Sequence, residues 1–95
     1  MKILLQDEKT EIENVKRVEE HFTQKEMVLH IYVGVGKVTA REIMDKITKT
    51  GIEKITVLSE EEKVDCVYEN YRKIKNMVTS YSDADKYIRL TLIQG

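Results

Sequence analysis

The side chains able to do covalent or metal chemistry are few and scattered. His21 and His30 are the only histidines and Cys66 the only cysteine. None stands at metal-ligand spacing from another, and a zinc centre needs several N or S donors converging on one point. A Cys66–histidine nucleophilic pair would also need an orienting third group and donors for an oxyanion, and nothing in the sequence supplies them. Buried structural roles are therefore expected for these residues, with no cofactor and no catalysis. The acidic runs Glu19-Glu20 and Glu60-Glu61-Glu62 read as solvated surface, because paired glutamates act as acid and base only where something raises one pKa.

Two constellations could bind rather than react. Gly34-Val35-Gly36-Lys37 leads to Thr39 at a helix start, where backbone amides, two glycines and a lysine suit a phosphate or other anion. It is not a P-loop, which would need glycine where Ile31 stands and Ser or Thr where Val38 stands. The bland alternative is a strand-to-helix turn whose amides Glu42 already occupies. The second constellation is Tyr68, Tyr71, Tyr81 and Tyr87, interleaved with Arg72, Lys73, Lys75, Lys86 and Arg89. On one face, the rings could stack a base while the cations hold phosphate. Ordinary packing or a subunit interface would use tyrosines equally well. The candidate ligand contacts are Gly34, Gly36, Lys37, Thr39, Tyr68, Tyr71, Arg72, Lys73 and Lys75.

The elements that must position these groups can be read from periodicity. Ile3 to Leu5 is a short apolar strand, and Ile12 to Phe22 reads as a bent strand, although its spacing also suits a helix. Met27, Leu29, Ile31 and Val33 alternate with Val28, His30 and Tyr32, which predicts a central strand covered on both faces. Thr39-Ala40-Arg41-Glu42 has the form of a capping box opening a helix to about Thr48, with Gly51 as its stop. Ile55 to Leu58 is a β-branched run, and Ile88, Leu90 and Leu92 alternate in a closing strand. Between them, Val64, Val67, Tyr68, Tyr71, Ile74, Met77 and Val78 follow helical spacing, while Val64, Cys66 and Tyr68 also alternate as in a strand.

The 95 residues fit a single domain, 1–95, with 16 basic and 17 acidic side chains for a net charge of −1. That balance argues against general nucleic-acid binding, which needs a cation surplus to displace counterions. The apolar N-terminal stretch is too short for a signal peptide or membrane span, so no membrane association is expected. A domain this small buries only about 60–65% of its unfolded surface, which makes self-association a reasonable expectation.

Ile55-Thr56-Val57-Leu58, the acidic turn, Val67-Tyr68-Glu69-Asn70-Tyr71, Lys73-Ile74-Lys75, Ser80-Tyr81 and Tyr87-Ile88-Arg89-Leu90-Thr91-Leu92 together resemble short proteins of tailed phages and prophages of Gram-positive bacteria. Those proteins open with a strand like Lys2 to Asp7 and carry a Thr- or Ser-capped helix where Thr39 to Ile47 stands. Their genes often lie near tail and lysis modules. The resemblance implies β-structure over 64–78 and a place in the host cytoplasm or the virion. The expectation is an α+β domain: a mainly antiparallel sheet of about five to six strands covered by one helix. The alternative is a two-helix sheet-and-helix sandwich, with 64–78 as the second helix. Functionally, the expectation is a non-enzymatic accessory protein that binds, as a homo-oligomer, a phage structural or host protein in the tail module. The alternative is a counter-defence protein that sequesters a host factor or a small anionic nucleotide signal.

Overall fold

The computed structural model describes residues 1–36, 38–82 and 85–94. Along the chain run β1 (Lys2–Leu4), β2 (Glu11–Ile12), β3 (Val15–Thr23), β4 (Glu26–Gly34), α1 (Ala40–Thr50), β5 (Lys54–Leu58), β6 (Val64–Glu69), β7 (Lys73–Tyr81) and β8 (Lys86–Ile93). They form two antiparallel four-stranded sheets, in the orders β2-β1-β5-β6 and β3-β4-β8-β7. The chain changes sheet three times, between β2 and β3, between β4 and β5 through α1, and between β6 and β7; β2 and β3 share one side of the molecule and β6 and β7 the other.

The two crossings made without a helix run through residues in the left-handed region, Asn14 at φ 60° and Asn70 at φ 70°. Asparagine tolerates that conformation better than most residues. Gly34 N–H donates to Asn14 O at 2.8 Å, while Asn70 N–H donates to Glu53 O at 2.9 Å and Arg72 N–H to Ile93 O at 3.0 Å. Residues 70–72 thus tie the start of β5 to the end of β8, with Tyr71 buried between the sheets.

Alternation within each strand builds one core. The first sheet sends in Ile3, Ile12, Ile55 and Val57, and the second Leu29, Ile31, Val33, Ile88, Leu90 and Leu92; α1 adds Ile43 and Ile47. Thr39 caps the helix, its hydroxyl accepting from Glu42 N–H at 3.2 Å. Gly51 ends it at φ 90°, donating to Ile47 O at 2.8 Å.

Two expectations are corrected. The single sheet of five to six strands is two sheets of four. The helix buries only Ile43 and Ile47, too little apolar surface to cover a sheet that size, so the second sheet covers the first. The alternative reading of 64–78 as a helix is overturned as well, since the segment is β6, a corner and β7. Its helix-like spacing has a local cause. Tyr68 and Tyr71 are three apart because the corner lies between them, and Ile74 and Met77 because β7 carries a register irregularity between Ile74 and Asn76. Each of the four packs on the core, whereas Val64, Val67 and Val78 stay exposed.

Candidate anion-binding surface

The residues singled out in the sequence do not gather at one place. Lys37 lies outside the described residues. Gly34 ends β4 against Asn14, where a Cβ would stand 2.5 Å from Asn14 Nδ2, so its small size serves a backbone crossing. Gly36, at φ 127°, and Thr39 border an open groove with Val35, Val38, Tyr81 and Ile88. Tyr71 is 1% exposed and its hydroxyl donates to Glu20 Oε2 at 2.6 Å, leaving no ring face for a base. Burial and the Glu20 carboxylate both push its phenol pKa up. Tyr68 is half-buried beside it, whereas Tyr81 and Tyr87 belong to the other sheet. Arg72 pairs with Glu53 at 3.5 Å and Lys75 with Glu26 at 3.1 Å, and Lys73 is exposed at the start of β7.

A different cluster is assembled on the outer face of β3-β4-β8-β7. Register places Arg17 opposite Tyr32, Glu19 opposite His30 and His21 opposite Val28 between β3 and β4. From β8, Thr91 stands opposite His30, Arg89 opposite Tyr32 and Tyr87 opposite Gly34. The Arg17 guanidinium lies 3.9 Å over the Tyr32 ring, a cation–π contact, while Tyr32 meets Tyr87 edge-on at 5.1 Å between centroids. The two histidine rings are 5.4 Å apart. His30 Nδ1 and Thr91 Oγ1 share a hydrogen bond of 3.0 Å.

Arg17 and Arg89 are the fixed cations of this face; Glu19 and Asp85 both lie against Arg17, the latter at 3.9 Å, and neither pairs with Arg89. Glu19 is shared between Arg17 Nε at 2.7 Å and His21 Nε2 at 3.2 Å, and those partners hold its carboxyl below the usual range. His30 is pushed down, first by burial and then by the positive charges of Arg89 and His21. Arg89 has no carboxylate partner among the described residues, and its Nε is buried without a hydrogen bond. Among those residues, no group of three His, Cys, Asp or Glu is placed to hold a metal ion.

Sequence reasoning missed this surface because its rows come from three strands. Alternation put His30 and Tyr32 on one side of β4, and the same period applied to β3 and β8 gives Arg17, Glu19 and His21, then Tyr87, Arg89 and Thr91. Only the pairing of β4 with β8, distant in sequence, sets the rows side by side. Comparison with protein-family models, with curated proteins and with solved structures finds no match for the chain.

Proposed function

We propose that this chain acts by binding rather than by catalysis, holding an anionic group on the outer face of β3-β4-β8-β7. The observation that carries the reading is Arg89, whose buried Nε–H has no acceptor among the described residues. Leaving such a donor unsatisfied costs about 1–3 kcal/mol, and a shift of the Arg89 side chain that turns its guanidinium onto a phosphate or carboxylate oxygen would relieve it. Arg17 and the edges of His21 and His30 stand around the same patch, and the Tyr32 and Tyr87 rings give an aromatic floor beside it. Of the carboxylates there, Glu19 is held ionised by Arg17 and His21 and Asp85 lies 3.9 Å from the Arg17 guanidinium, so neither is placed as a general acid.

The phage setting rests on the resemblance of the strand and turn pattern. Within it, the anionic partner is an acidic surface of a tail-module protein or, in the counter-defence reading, a nucleotide signal. Titration calorimetry with inorganic phosphate, a panel of nucleotides and an acidic peptide tests the site. At least one probe is expected to bind, with affinity falling tenfold or more in Arg89→Gln and more modestly in Arg17→Gln. Probes that bind wild type and Arg89→Gln equally would overturn the proposal, as would no binding at all. Presence in purified virions separates the tail-module role from counter-defence.

A further inference from the structure

Two strands of opposite charge form the side of the molecule where the chain crosses from β6 to β7, and their exposed edges are complementary. β6 (Val64-Asp65-Cys66-Val67-Tyr68-Glu69) carries two acids and no base, whereas the stretch Lys73 to Lys75 of β7 carries two bases, and β7 has no acid. Each is the outermost strand of its sheet, so each presents a row of backbone N–H and C=O groups with no ladder partner. The opposite edges are unsuited to pairing. β2 has two residues, and β3 carries Lys16, Arg17, Glu19 and Glu20, charges that point to both of its faces. Val64, Val67 and Val78 are exposed on β6 and β7 at 62%, 40% and 42%. In the seam between the two strands, Tyr68, Ile74 and Met77 pack on the core yet remain only partly covered.

We propose that two copies of this chain join by a two-fold axis running along this side, β6 of each pairing antiparallel with β7 of the other. Residues 70–72 connect the strands in a tight corner, so Glu69 and Lys73 lie at the same height in opposite sheets. A two-fold axis parallel to the strands keeps that height and exchanges the sheets, which sets β6 against the second copy's β7 twice over. Glu69 then faces Lys73 of the second copy, Tyr68 faces Ile74 and Cys66 faces Met77.

The facing of the side chains agrees with this alignment. Tyr68 and Cys66 lie opposite Ile55 and Val57, the core-facing residues of β5, and Ile74 and Met77 lie opposite Leu92 and Leu90, the core-facing residues of β8. Both members of each pair therefore lie on the core side of their sheets, with Cys66 exposed at the edge, and Glu69 and Lys73 lie on the outer side. The irregularity between Ile74 and Asn76 absorbs the one extra residue on β7. The other two-fold, with its axis across the strands, would set β6 on β6 and β7 on β7, acid against acid and base against base. The reciprocal pairing turns two four-stranded sheets into two of eight strands and closes the Tyr68–Ile74–Met77 seam over a shared core. It leaves the Arg89 face free, so the dimer and the anion site stand or fall separately.

Sedimentation equilibrium on the full chain is expected to show twice the chain mass. Lys73→Glu and Glu69→Lys, both exposed, are each expected to weaken the dimer tenfold or more, and the double exchange Glu69→Lys with Lys73→Glu to restore it. Oxidation of Met77→Cys is expected to give a disulfide-linked dimer through Cys66. Within one copy the two positions sit on sheets whose backbones are about 10 Å apart, beyond the Cα separation a disulfide spans. A monomer at all concentrations, a dimer indifferent to both charge reversals, no restoration in the double exchange, or a wild-type dimer cross-linked through Cys66 alone would overturn the proposal.

Discussion

His30 shows how one side chain records its surroundings. Burial lowers its pKa from 6.5, the positive charges of Arg89, His21 and Lys75 lower it further, and only Glu19 opposes them. The folded state therefore resists protonation at His30, so the unfolded chain binds the extra proton first. Stability present at neutral pH is lost as pH falls from above 6.5 towards the depressed folded value, and the loss ends below it. A melting temperature followed from pH 7.5 downward is expected to decline in this window, and His30→Gln to flatten the decline. Asp7, Glu19, Glu60 and Glu62 have lowered pKa values and lose their contributions only at pH values near and below 4.5, which keeps the two effects separable. An unchanged slope in the variant would mean another group senses the acid.

At the level of elements, the helix and the segment 64–78 teach different lessons. α1 is locally specified: Thr39 satisfies an amide at its start, and Gly51 takes the positive φ at its end. Thr39→Ala is expected to cost about 1 kcal/mol in urea unfolding, the usual value of a lost N-cap. A much larger loss would mean that Thr39 does more in the groove it borders than cap the helix. The segment 64–78 is not locally specified. Its three-residue spacings fit a helix, but β5 and β8 each offer it an unpaired edge, and pairing with them leaves Tyr68, Tyr71, Ile74 and Met77 on the core. Tertiary pairing outweighs periodicity because a helix there would leave both of those edges bare.

For the molecule as a whole, the decisive feature is that the sheets and α1 share one set of buried side chains. Ile3 of the first sheet and Leu90 of the second lie in the same cluster. Ile3→Ala and Leu90→Ala are each expected to cost about 2–5 kcal/mol, the usual range for such truncations. Backbone circular dichroism and tyrosine fluorescence are expected to change together in a single transition for both variants. Two separated transitions would show that each sheet holds its own structure.

The amino-acid order by itself determined what depends on near neighbours. It specified the capped helix from Thr39, the alternation of β4 with apolar residues on both faces, the closing strand at Ile88 to Leu92, and the scarcity of groups that could make or break bonds. Tertiary structure alone decided that the strands divide into two sheets, that the two helix-free crossings between them fall at Asn14 and Asn70, and that Tyr71 lies in the core instead of on a binding face. It also assembled Arg17, His30 and Arg89 into one surface. The reason is that caps and alternation are set over a few residues, whereas which strands lie side by side depends on which apolar faces can cover one another, a choice made by the whole chain at once.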